Sequence, residues 1–242
     1  MEARVSALAT RTSLQTRGAA PPTQHLNESH TDVTDIHKTE IAVILDRSGS
    51  MASIQHEMVS GFAQFVQRQA AEPGDCVLSL YRFDDKYDVV YEERPLAKVR
   101  RLSLSPRGST ALLDAVGRSI ARIGERLAAK PEHQRPGTVI VMIITDGQEN
   151  ASIEVSRDVL KTMIERQEKV FNWQFMYLGA DASTFDEAAS LGISAPACYS
   201  PSARGVERLY EASSLSVASI RQRIASGETS ARISIPRTLS DD

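Results

Sequence analysis

Asp46, Ser48 and Ser50 stand at alternate positions in Asp46-Arg47-Ser48-Gly49-Ser50, so one carboxylate and two hydroxyls share a short polar stretch. Oxygen-only ligands on a short loop suit a hard cation such as Mg²⁺ or Mn²⁺, which asks for near-octahedral oxygen coordination and keeps some of its waters. Three side chains cannot complete that shell. Two other stretches offer the missing oxygens. In Arg107-Gly108-Ser109-Thr110 a glycine turn delivers the Thr110 hydroxyl to the start of a helix, and in Thr145-Asp146-Gly147 an acid follows an apolar run. Taken singly, each stretch also reads as an ordinary helix cap or turn, because Asp, Ser and Thr side chains accept hydrogen bonds from unpaired backbone amides.

A joint site needs a scaffold that carries three distant loops to one place. Ile41 to Leu45 is an unbroken apolar run ending in Asp46, the pattern of a strand buried on both faces in a parallel sheet. Asp46 then emerges at the carboxyl end of that strand, the rim where open α/β sheets place ligands. Ile54, Met58, Phe62, Phe65 and Val66 follow at helical spacing, and Leu113, Val116, Ile120, Ile123 and Leu127 repeat that spacing behind Thr110. Thr138 to Thr145 predicts a second buried strand. Cys76–Phe83 and Tyr87–Glu93, joined by Asp84-Asp85-Lys86, predict a hairpin whose two acids are solvated turn formers. Beyond Asp146 the spacing predicts a helix over 156–169 burying Val159, Leu160, Met163 and Ile164, a strand over 173–178 and a short helix over 185–191. An edge strand at Cys198-Tyr199 and a last amphipathic helix through Val206, Leu209, Tyr210, Ser213, Val217, Ile220 and Ile224 complete the set. Strands alternating with helices predict an α/β doubly wound, mostly parallel sheet with one short antiparallel edge strand and helices on both faces.

Asp46-x-Ser48-x-Ser50, the lone Thr110 before a helix, and Thr145-Asp146-Gly147 together resemble the metal-ion-dependent adhesion site of von Willebrand factor A domains. The resemblance covers residues 39–226 and implies the Rossmann-like fold of that family. It implies that Ser48 and Ser50 coordinate the metal directly, that Thr110 joins them in the liganded state, and that Asp46 and Asp146 act largely through bound water. One coordination position stays open, and in the family it takes a Glu or Asp carboxylate of a partner protein. Arg47 and Gln148-Glu149-Asn150 are more similar to the intracellular bacterial members. Those imply a cytoplasmic adaptor or subunit working beside an ATPase, a kinase or a stress-response complex. The best-studied relatives also imply a C-terminal helix that slides when the metal takes a ligand.

The 242 residues, 41% hydrophobic and 24% charged, suffice for one substantial core, and a net charge of −3 provides no global field for nucleic acid or an anionic membrane. Cys76 and Cys198 lie far apart with no Cys-x-x-Cys pair, and Cys76 opens a predicted strand as a small buried residue, which favours a reducing compartment. No apolar run approaches the ~20 residues of a membrane-crossing helix. Residues 1–38 are polar, with Pro21-Pro22 and scattered His, and predict a disordered arm. Arg4, Arg11 and Arg17 against Glu2 faintly resemble an organelle transit peptide, Asn27-Glu28-Ser29 fits a glycosylation acceptor by pattern alone, and no secretory apolar core is present. Residues 227–242 predict a flexible tail. The basic run through Arg94, Lys98, Arg100, Arg101 and Arg107 predicts a solvated loop beside Thr110, suited to a partner with more than one acid.

Catalytic signatures are sparse. Gly-x-Ser-x-Gly is absent, the turn at Gly108 lacks the lysine of a phosphate-binding loop, and no Gly-x-Gly-x-x-Gly opens a helix. A metal-dependent phosphatase-like hydrolase with Asp46 as nucleophile remains as an alternative, although Ser48 stands where its second acid is expected. A structural subunit with a vestigial site is another. The sequence favours a non-enzymatic, metal-dependent binding domain over both.

Overall fold

The computed structural model describes residues 34–228 and 230–239, so the predicted N-terminal arm lies outside the described residues up to position 33. Ile41 to Leu45 form the middle of β1 (Asp35–Asp46), which pairs in parallel with β2 (Asp75–Phe83) on one side and β4 (Pro136–Ile144) on the other. With β3 (Tyr87–Pro95), β5 (Gln174–Gly179), β6 (Ala195–Tyr199) and β7 (Thr238–Leu239), they make one sheet in the order β3-β2-β1-β4-β5-β6-β7. Among the described residues only β3 runs antiparallel to its neighbour. It is nine residues long, and its register with β2 shifts on both sides of Leu80.

Among the described residues five α-helices cover the sheet: α1 (Gln55–Ala71), α2 (Leu112–Ala128), α3 (Arg157–Phe171), α4 (Thr184–Ser190) and α5 (Ala203–Ala225). Side chains alternate along β1. Ile41, Val43 and Leu45 join a core with Phe62 and Phe65 of α1 and Leu209 and Val217 of α5, while Ala42 packs on the other face with Val116 and Ile120 of α2 and Leu160 and Ile164 of α3. Cover on both faces explains why β1 and β4 read as unbroken apolar runs. Helix α3 contributes less than its spacing predicts. Leu160 and Ile164 are buried and Met163 only partly, whereas Val159 is 53% exposed, because the helix meets the sheet along a stripe one residue wide per turn.

The domain is longer at both ends than residues 39–226. β1 begins at Asp35, and after α5 the chain returns to the sheet instead of trailing off as a tail. Ala231 and Ile233 are buried, Gln174 Oε1 accepts the Ile233 N–H at 2.9 Å, and Thr238–Leu239 pair with Cys198–Tyr199, so β6 is not an edge strand. Arg221 fastens α5 to the end of α1, with Nη1 donating to Gln69 O and Oε1 at 3.0 Å and Nη2 to Pro73 O and Gly74 O at 3.1 and 3.2 Å.

From β1 the chain runs to β2 on one side and later crosses to β4 on the other, so strand order reverses between β1 and β4. Their outgoing loops part at that point, one toward α1 on the first face and one toward α3 on the second. Such a switch point opens a crevice at the carboxyl rim.

Candidate metal centre

Asp46 closes β1 and is fully buried, with Oδ1 accepting the Ser48 N–H at 2.6 Å and Oδ2 accepting the Thr145 hydroxyl at 2.6 Å. β1 and β4 are in parallel register up to Leu45 and Ile144, which puts Asp46 level with Thr145. The Ser48 and Ser50 hydroxyls are 3.0 Å apart, and the Ser50 hydroxyl donates to Asp146 Oδ1 at 2.6 Å. Thr110 comes from the third loop. A Cβ placed on Gly147 would lie 3.0 Å from Thr110 Oγ1, 3.5 Å from Ser50 Oγ and 3.6 Å from Ser48 Oγ, so three hydroxyls surround one small space that only glycine leaves open. The fold thus brings Asp46, Ser48, Ser50, Thr110 and Asp146 to one rim.

Backbone bonds hold the loops in register. Gly49 N–H donates to Gly108 O at 3.2 Å and Arg107 N–H to Arg47 O at 2.8 Å. Gly108 has φ of +69°, and a Cβ there would come within 2.5 Å of Asp85 Oδ1, so this turn requires glycine. On its other side, Thr110 N–H donates to Asn150 Oδ1 at 2.9 Å and Thr110 O accepts the Asn150 N–H at 3.1 Å. Glu149 accepts from Leu113, Ala151 and Ser152 N–H groups at 2.7–2.9 Å. Asp114 accepts from Ile153, Glu154 and Val155 N–H groups at 2.8–3.0 Å. Burial opposes the charge of Asp114, but those amides hold its carboxyl below the ordinary 3.8. A lowered folded-state value contributes stability that is present above 3.8 and lost as pH falls through the folded value. Asp114→Ala is therefore expected to cost about 2 kcal/mol at pH 7 in urea unfolding, with the deficit shrinking in acid.

Thr145, Asn150, Glu149 and Asp114 act as supports of the rim, a role that the motifs around Asp146 do not by themselves assign. Thr145 sits directly before Asp146 and Asn150 four residues after it, but their role depends on partners across the rim. The structure also revises Asp84. It is fully buried, not a solvated turn former. Its Oδ1 does accept the Lys86 N–H of the turn at 2.6 Å. Its Oδ2 accepts Arg107 Nε at 2.8 Å and stands 3.0 Å from Arg47 Nε, while Arg47 Nη1 reaches Asp88 at 2.7 Å. Asp85 stays exposed.

The two acids of the rim are electrostatically uneasy. Burial raises Asp46 to about 6 against the hydrogen bonds from Thr145 and Ser48, and the Asp146 charge adds to the rise. Burial also raises Asp146, against the Ser50 hydroxyl. Two desolvated carboxylates and three converging hydroxyls make a hard-oxygen donor set that fits a small divalent cation. Among the described residues no group of three or more His, Cys, Asp or Glu side chains could hold a metal.

A doubly wound sheet in this order, one antiparallel edge strand and these three loops at its carboxyl rim define a fold of the von Willebrand factor A type. Proximal thread matrix protein 1 from the mussel byssus is similar at 16% identity over 75% of this chain, with a TM-score of 0.53. Other similar structures are a von Willebrand factor type A protein from Catenulispora acidiphila (16% identity over 79% of the chain, TM-score 0.47) and the mussel protein with a zinc-occupied metal-ion-dependent adhesion site (15% over 79%, TM-score 0.46). The chain spans less than half of each, 46%, 43% and 46% of their lengths. No family model and no curated protein matches the sequence.

Proposed function

We propose that this chain is a divalent-cation-dependent protein-binding domain, an adaptor or subunit rather than an enzyme. Ser48, Ser50 and Thr110 would hold Mg²⁺ or Mn²⁺ directly, and Asp46 and Asp146 would act through water. The bound cation supplies a point of positive charge for a Glu or Asp carboxylate of the partner. The carrying observation is the space beside Gly147 ringed by three hydroxyls, with two desolvated carboxylates behind them.

A protein partner suits the surroundings. Ile153 is 92% exposed on a loop whose backbone is bonded to Asp114, an apolar side chain held out on the same rim. The hydrolase reading fares worse, because Asp46 is buried with both oxygens engaged and offers no line of attack to a phosphorus atom. Two free, partly buried cysteines, Cys76 and Cys198, suit a cytoplasmic setting beside an ATPase, kinase or stress-response complex. No described helix is long and apolar enough to cross a membrane.

Titration calorimetry with Mg²⁺, Mn²⁺ and Zn²⁺ tests the reading. The Ser48→Ala/Ser50→Ala variant is expected to lose at least about tenfold in affinity for the preferred ion, near 1.4 kcal/mol. Its unfolding free energy in EDTA should fall by only about 1–2 kcal/mol, since the apolar core is untouched and the change chiefly removes the Ser50 hydroxyl from Asp146. Equal metal affinity in parent and variant would remove the site, and metal-dependent turnover of phosphate esters that disappears with Asp46→Asn would restore the hydrolase.

A further inference from the structure

A cleft of about 590 Å³ opens beside the rim, between the 3-10 turn Gly49–Ile54 with the start of α1 and the extended segment 101–104. Ser53, His56, Glu57 and Val59 line one wall, and Arg101 and Ser103 line the other. Ala52 and Ser53, also in the lining, follow Ser50 by two and three residues, so the mouth lies within about 12 Å of the Ser50 backbone.

The far wall is anchored. Leu102 and Leu104 are buried in the core while Arg101 and Ser103, between and beside them, face outward. Gln55 Nε2 donates to Leu104 O at 2.6 Å and the Arg82 guanidinium donates to Ser103 O, so the segment is fastened to α1 and to β2. Arg101 lines this wall, Lys98 and Arg100 are exposed in the chain just before it, and none of the three has an ion pair among the described residues. Arg118, Arg122 and Arg126, on one face of α2, are all matched to Glu side chains. Arg94, in the same basic stretch, lies over the Tyr91 ring at 4.8 Å, and Arg107 is bound to Asp84. The lining holds one cation, Arg101, and one acid, Glu57, with His56 beside it, and the excess of positive charge comes from Lys98 and Arg100 just outside it.

We infer that the basic edge of this cleft receives a second acidic stretch of the partner protein, a few residues from the carboxylate that completes the metal site, with Arg101 in the lining and Arg100 just beside it as its principal contacts. The inference rests on the proposed metal-dependent binding. An extended peptide advances about 3.3 Å per residue, so acids three or four positions from the metal-bound carboxylate span the distance from Ser50 to the cleft. Charge complementarity of this kind sets which partner is accepted and how quickly it arrives.

The test uses the whole chain and two synthetic peptides followed by fluorescence anisotropy in Mg²⁺ and in EDTA. One peptide carries a single Glu among Gly and Ser; the other adds a cluster of Asp and Glu three to four positions away. At low salt the parent is expected to bind the clustered peptide at least about tenfold more tightly, an advantage that shrinks as salt rises. Arg100→Ser/Arg101→Ser should erase that advantage while leaving Mg²⁺ affinity and single-Glu binding at parent values. Clustered-peptide binding that persists in EDTA and disappears in the double variant supports the cleft while removing the metal reading. Equal binding of both peptides by the parent, an unaltered advantage in the variant, or displacement by an oligonucleotide of equal charge at lower concentration would each overturn the inference.

Discussion

Asp84→Ala is expected to destabilise the domain by roughly 3–5 kcal/mol, the range for removing one partner of a buried ion pair. Asp84 is fully buried, and the Arg47 side chain beside it is 6% exposed, so the substitution leaves a guanidinium in the interior with Asp88, at the surface, as its remaining carboxylate. Burial opposes the Asp84 charge, yet the Arg107 hydrogen bond, the Lys86 N–H and the Arg47 charge hold its carboxyl below 3.8. The contribution is thus present above 3.8 and lost as pH falls through the folded-state value. Urea unfolding of parent and variant should therefore differ most near neutral pH and converge in strong acid. Arg47 lies between Asp46 and Ser48, so metal affinity should fall with stability. A variant that unfolds like the parent at pH 7 would show that the pair is dispensable.

Asp46→Asn should act in opposite directions with and without metal. The carboxyl is raised from 3.8 to about 6, chiefly by burial, so in the metal-free domain the charged form is held at a cost of roughly 3 kcal/mol at neutral pH. The sign follows from proton binding. A folded-state value above the unfolded one means the cost is absent below 3.8 and grows as pH rises to about 6. Asparagine removes the charge and keeps the fit. Its Oδ1 can accept the Ser48 N–H, and its amide can donate to Thr145 Oγ1, whose hydroxyl then turns to Gly147 O, 3.1 Å away. In EDTA at pH 7 the variant should melt several degrees above the parent, and in saturating Mg²⁺ the order should reverse. A variant less stable than the parent in EDTA would mean that Asp46 is comfortable as an anion and that the rim carries no charge deficit.

The parts of this molecule legible from residues alone are those whose cause is local. Ile41–Leu45 and the run into Thr145 announce strands because burial on both faces demands continuous apolar character, and the loops ending them carry the oxygens. The buried charges are invisible at that level. Glu40 lies in β1 beneath α2, neutralised by Arg126 Nη2 at 2.6 Å and bonded by the Ser79 hydroxyl at 2.6 Å, both far off in sequence. Asp84 depends in the same way on Arg47 and Arg107. The segment after α5 was hidden by its polar neighbours, since Ala231, Ile233 and Leu239 are too thinly spread to make a periodic run. Val159 shows the converse, an apolar residue on a helix whose contact stripe happens to miss it.

Strand β7 is two residues long, yet it decides whether the sheet is closed to its own copies. Strand edges offer unpaired amides and carbonyls to any passing strand. At the β3 side that offer is spoiled by the register shifts and by Glu92, Glu93 and Arg94. At the β6 side nothing comparable guards Ala195–Tyr199, and the guard is the returning chain itself, with Arg237 O accepting the Cys198 N–H at 2.7 Å and Leu239 lying against Tyr199. A chain ending at 226 would keep every helix and the whole metal rim. It would also bare one raw edge with an apolar strip beside it, and its characteristic failure would be self-association rather than unfolding.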